Sequence, residues 1–192
     1  MDHRIGFVGW GFPLLVAASL SAQEVTVPVD AQLPLLLKVI SSDRNLARSG
    51  PDYTVGVLFQ PRFRPSVEFF EAVRRSSDRS PLPALGDRRI RLLPIEVSVD
   101  DLRKVLAEHP CDALYVGPLR ALPIAAVHAA AQETETLTLS AVPQYVSQGL
   151  AVGVDLHADR LRILIHLPSA QAAGAAFSSR FLGLSAVEVV AR

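Results

Sequence analysis

Four strand-like runs, Tyr53–Phe59, Arg89–Val97, Cys111–Val116 and Thr136–Ala141, alternate along the chain with stretches whose apolar residues recur at helical spacing. That alternation constrains the fold more than any other feature. Tyr53–Phe59 (YTVGVLF) is short, nearly unbroken in its apolar character and rich in β-branched residues, the pattern of a strand covered on both faces. A helix is predicted from about Pro65 to Arg75, with Val67, Phe70 and Val73 toward the sheet. Ser98, with Asp101 three residues on, caps another that carries Leu102, Val105 and Leu106, and Leu122–Ala131 is an alanine-rich third. Before the first strand, Leu33, Leu36, Leu37 and Ile40 form one apolar face of a helix that Pro34 lets begin only near itself. Repeated strand-then-helix order requires right-handed crossovers and a mostly parallel sheet with helices on both faces. The C-terminal part differs. Leu150–Leu156 and Leu161–Leu167 are separated by only four residues and read as an antiparallel hairpin. Pro168 then opens a short helix that Gly174 ends, and Ser178–Leu184 forms a second helical piece.

The N-terminus has the organisation of a secretory signal: His3 and Arg4, an apolar stretch from Ile5 to Leu20, then the small residues Ser21 and Ala22. Cleavage is expected after Ala22, leaving 23–192 as one domain of a size that can bury a real core. Later apolar stretches are interrupted by charge, Pro or Gly well short of a bilayer span. Lys+Arg and Asp+Glu both number 19, so no net field draws the chain to nucleic acid. A single cysteine, Cys111, excludes an intramolecular disulfide and a cysteine-based zinc site.

The sequence lacks a P-loop, HExxH, CxxC and GxSxG, and its one G-x-G, Gly9 to Gly11, falls in the signal. No catalytic residue, metal ligand or cofactor is therefore expected. Asp155, His157 and Asp159 carry the donor atoms of a divalent site but alternate through a hairpin turn, where polar residues are ordinary. His166 lies in an apolar strand and reads as a hydrogen-bonded core histidine, with no nucleophile evident beside it. Cys111 reads as buried and inert. Asp43, Arg44 and Asn45 close the first helix as a solvated terminus with Asn45 as a local cap. They are also the candidate partner-binding cluster. As solvated residues, Asp43 and Arg44 are expected to tolerate joint truncation to Ala within about 0.5 kcal/mol. A rival site lies at the carboxyl ends of the parallel strands, where open α/β sheets form a crevice and the loops after Phe59, Val97 and Val116 would hold a small ligand. A hydrolase on the same sheet has the least support, for want of a nucleophile with a partner base.

In its C-terminal third the chain reads Leu137-Thr138-Leu139-Ser140, then Gln148-Gly149-Leu150-Ala151-Val152-Gly153, then Arg162-Ile163-Leu164-Ile165-His166-Leu167, with Ala170, Gly174, Ser178-Ser179 and Leu182 following. With Leu35-Leu36-Leu37-Lys38 and Cys111-Asp112-Ala113-Leu114-Tyr115-Val116, this series resembles the YfiR-like family of periplasmic proteins. The resemblance implies a Rossmann-like α/β fold and a non-catalytic periplasmic regulator. Its implied partner is the periplasmic domain of a membrane protein, a diguanylate cyclase or sensor kinase, which it restrains, lowering cyclic-di-GMP synthesis in the cyclase case. A homodimer is left open. The chain departs from the pattern where His166 replaces an asparagine, where Leu150 replaces a second glycine, and where Cys111 lacks partner cysteines.

Overall fold

Seven strands join one sheet in the order β2-β1-β3-β4-β5-β6-β7. This is a computed structural model that describes residues 25–46, 51–79, 82, 84–98 and 102–190. The signal expected over 1–22 and Asp101, the acidic residue expected three positions after the Ser98 cap, lie outside them. In chain order the elements are α1 (Val29–Ser41), β1 (Asp52–Phe59), α2 (Arg64–Arg79), β2 (Arg89–Glu96), α3 (Leu102–Glu108), β3 (Ala113–Val116), α4 (Ile124–Glu133) and β4 (Leu137–Ser140). There follow α5 (Gln144–Ser147), β5 (Val152–His157), β6 (Arg160–Ile165), α6 (Leu167–Ala172), α7 (Ser179–Leu182) and β7 (Val187–Val189). Strands β1 to β5 are parallel, β5 and β6 are antiparallel, and β7 runs parallel to β6. The α/β class, the mostly parallel sheet and the C-terminal hairpin expected from the sequence are all present.

The two-residue period of the strands sorts their side chains into two cores. Val55, Val57, Ala113, Tyr115 and Leu139 meet Leu33, Leu36, Leu37 and Ile40 of α1 and Phe69 and Val73 of α2 on one face. On the other, Leu58, Leu114 and Val116 meet Leu102 and Leu106 of α3 and Ile124 and Val127 of α4. β3 is buried at every position, which is why it reads as a continuous apolar run. Pro94 falls in β2, an edge strand of the sheet, where one side of the backbone needs no partner.

Several boundaries differ from expectation for identifiable reasons. α1 begins at Val29, so Pro34 lies inside it. The missing N–H forfeits one bond, to the Asp30 carbonyl, near the helix start, while the added turn buries Val29 and Gln32. On α2 the buried side chains are Ser66, Phe69 and Val73. Phe70 is half-buried and stacks on Phe59, with ring centroids 4.2 Å apart, so the helix is rotated from the face the sequence suggested. The hairpin turn is only Ala158 and Asp159, at φ +47° and +60°, both left-handed as a tight type I′ connection requires. Gly174, at φ +78°, ends α6 as expected. No helix among the described residues is long and apolar enough to cross a membrane.

Candidate functional site

The strand order reverses between β1 and β3, because β1 feeds α2 and β2 on one side while β3 continues the sheet on the other. At such a switch point the loops leaving neighbouring strands part, and a crevice opens outside their carboxyl ends. Here it has a volume of about 550 Å³ and is lined by Gln60–Phe63 after β1, Val97–Ser98 after β2 and Arg120–Ala121 after β3. These are the loops that the parallel topology nominated.

The crevice is built by a side chain that crosses it. Gln60 is 8% exposed. Its carboxamide accepts from the Arg120 backbone N–H at 2.6 Å and donates to the Arg120 carbonyl at 3.1 Å. The Gln60 backbone N–H in turn donates to Ser66 Oγ at 2.9 Å, which ties the same residue to the first turn of α2. Further along the β3 loop, Leu119 N–H donates to the Tyr145 hydroxyl at 3.0 Å. Gly117 must be glycine, since a Cβ there would come within 2.3 Å of the Phe69 ring. Ala121 sits at φ +58°, a left-handed conformation that costs a non-glycine residue energy and recurs at binding sites. Sequence reasoning found the loops but missed Gln60, whose partner is 60 residues away.

The Asp43–Arg44–Asn45 cluster lies at the opposite, amino end of the sheet and is not a solvated terminus. Asp43 Oδ1 accepts from the backbone N–H of Asn45 at 2.9 Å and of Ala176 at 2.7 Å. Asn45 does not cap α1, which ends through Ser42; its Nδ2 donates to the Gly174 carbonyl at 2.8 Å. Together they fasten the end of α1 to the segment between α6 and α7. Of the three side chains only Arg44 is exposed. Asp43 and Asn45 also border a polar pocket of about 250 Å³ with Tyr53, Cys111, Asp112 and Glu135. Burial first, and then the Asp112 and Asp43 carboxylates, push the Tyr53 phenol well above its usual range.

His166 does have a hydroxyl beside it. Its Nδ1 lies 2.7 Å from Ser169 Oγ, which is 3.5 Å from His128 Nδ1 on α4. Ser169 is 5% exposed, and the contact braces the start of α6 against α4. Asp155, His157 and Asp159 do not gather into a group able to hold a metal ion.

A family model described as YfiR/HmsC-like matches residues 73–186. The chain belongs to that family. The match takes in Ser98, Arg120 and His166, whereas Asp43–Asn45 and Gln60–Phe63 precede it. No curated protein matches the chain. Among solved structures it is similar to the ligand-free, open form of CD0873, a substrate-binding protein with adhesive properties from Clostridium difficile, at TM-score 0.58 and 16% identity. That similarity covers 85% of this chain and 60% of the other. It is also similar to a conserved domain protein from Vibrio cholerae O1 biovar El Tor, at TM-score 0.57 and 13% identity, over 81% of this chain and 60% of that one. At these identities the likeness concerns the fold. The YfiR/HmsC-like chain spans about three fifths of the length of either structure.

Within this family member Cys111 is chemically quiet. Burial pushes its thiol up from about 9 to about 11, outweighing a hydrogen bond at Gly56 that lowers it, and Asp112 adds a smaller upward push. At pH 8 the folded chain thus holds roughly a hundredfold less thiolate than the unfolded one. Reaction with an aromatic disulfide reagent should be slower by a comparable factor in the native protein than in urea. Equal rates would show that Cys111 is accessible and ionised. The unfolded chain deprotonates first, so the stability linked to this group is complete below about pH 9 and is lost as pH rises toward about 11.

Proposed function

We propose that the protein is exported by its N-terminal segment, cleaved after Ala22, and acts as a single domain that binds the periplasmic sensor domain of a membrane signalling protein, a diguanylate cyclase, and restrains it. The YfiR/HmsC-like match over 73–186 is the observation that carries this reading. The candidate contact is the corner formed by Asp43, Arg44 and Asn45. Two of these side chains hold the corner to the segment around Ala176, and Arg44 faces solvent from it. A charge presented on a braced corner loses little side-chain and loop freedom on docking, which favours binding. Regulation of this kind requires complementarity rather than proton transfer. The test is co-purification of the exported protein with the cyclase from solubilised membranes. Wild type should retain the cyclase, and Arg44→Glu should release it while melting at the wild-type temperature. Equal retention by Arg44→Glu would remove the corner from the interface, and no retention by wild type would remove the partner assignment.

A second reading is favoured by the switch-point crevice: the protein holds a small ligand between the loops after β1, β2 and β3. Its volume suits a small molecule, for which pockets of roughly 300–1,000 Å³ are usual. The two surfaces lie at opposite ends of the sheet, so one protein can serve both.

A further inference from the structure

We infer that the switch-point crevice takes a small organic oxyanion, a carboxylate or phosphate ester bearing an apolar group, between Arg62 and Arg120; this rests on the ligand-binding reading. The two arginines come from the loops after β1 and β3, the strands that flank the switch point, and both line the cavity. Some described arginines, such as Arg64, Arg74 and Arg103, are engaged with a carboxylate, and others, such as Arg44 and Arg160, are not. Arg62 and Arg120 have no such partner among the described residues, and none of the described residues lining the crevice is acidic. Asp100 and Asp101, which follow Ser98 in the chain, lie outside the described residues. A planar guanidinium fork matches carboxylate and phosphate oxygens in pairs, so two forks on one cavity select an oxyanion over a neutral or cationic group.

The surroundings narrow the class further. Pro61, Phe63 and Val97 supply apolar wall, and Ser98 supplies a hydroxyl, so a bare inorganic ion would leave most of the volume unfilled. The Gln60 carboxamide accepts from the Arg120 backbone N–H and gives one of its two N–H groups to the Arg120 carbonyl, which fixes the base of the Arg120 side chain. The neighbouring left-handed Ala121 is held by the same loop, and such strain is kept where a surrounding structure enforces a geometry. α2, 16 residues long, starts at Arg64 immediately after the crevice and has no acidic residue in its first turn, so its positive end adds to the same field.

Backbone amide shifts with three probes, phenyl phosphate, inorganic phosphate and benzylamine, test the assignment. Phenyl phosphate should move the amides of Gln60, Arg62, Ser98, Arg120 and Ala121 and bind more tightly than inorganic phosphate, while benzylamine should move none of them. Arg62→Ala and Arg120→Ala should each weaken phenyl phosphate by about tenfold, as expected for one charged hydrogen-bonding partner, with Arg162→Ala, on β6 three strands beyond β3, as an unchanged control. Both variants alter exposed side chains and should melt like wild type. Undiminished binding by the double variant, or amides that stay still with phenyl phosphate, would overturn the inference. If benzylamine moves the same amides as strongly, the crevice remains a ligand site and the oxyanion class is wrong. If no probe moves them, both readings fail.

Discussion

Gln32→Ala should destabilise the protein by about 4 kcal/mol, measured by urea unfolding, because it creates a cavity and strips buried polar groups of partners at once. Gln32 is fully buried on α1 among leucines. Its Nε2 donates to the Val27 carbonyl at 2.7 Å and to the Ala141 carbonyl at 3.2 Å, and its Oε1 accepts from the Tyr115 hydroxyl at 2.9 Å. One side chain therefore joins the start of α1, the middle of β3 and the end of β4. Burial alone pushes the Tyr115 phenol far above its usual range, so it stays a neutral donor. Tyr115→Phe removes only that donor and should cost about 1–2 kcal/mol. Gln32→Leu combined with Tyr115→Phe should cost at least about 1 kcal/mol less than the sum of the single changes, since removing both partners of a buried hydrogen bond leaves no orphan between them. Strict additivity would show that the two groups do not interact.

Asp43→Ala should cost about 2 kcal/mol, although the residue looks like part of a solvated helix end. One carboxylate oxygen accepts from two backbone N–H groups, one of them 133 residues away, and charge-assisted hydrogen bonds are each worth roughly 1.5–3 kcal/mol. The Asp43↔Phe177 bridge and the Arg44 N–H to Ala176 carbonyl bond lie beside it, so losing the carboxylate should also loosen the segment between α6 and α7. Hydrogen exchange should report this as faster exchange at Ala176 and Phe177. Arg44→Ala, by contrast, should stay within about 0.5 kcal/mol of wild type, as expected for an exposed side chain with no side-chain partner among the described residues. Equal effects of the two substitutions would mean that the corner is held by its backbone alone.

The elements whose burial is periodic were legible in the sequence. β1 and β3 are covered on both faces and read as apolar runs, and the short link between β5 and β6 announced the hairpin. The crevice was legible too, because strand-then-helix order implies a switch point and names its loops before any side chain is placed. What could not be read were contacts set by partners distant in the chain. Gln32 resembles a polar interruption of a leucine stripe until Tyr115 meets it, and Gln60 resembles an ordinary loop residue until Arg120 meets it. Phe69 and Phe70 are adjacent and chemically alike, so only the docking of α2 over Tyr115, which Phe69 meets edge-on at 4.9 Å, decides which is buried. β7 is only three residues long, too short for its two valines to stand out as a strand until it pairs with β6.

Cyclic-di-GMP output, measured in cells that keep the cognate cyclase, tests regulation by binding most directly. Deleting the protein should raise that output; wild type should restore it, and Arg44→Glu, folded and exported at normal levels, should restore it less. Output that is the same with and without the protein would contradict the regulator assignment.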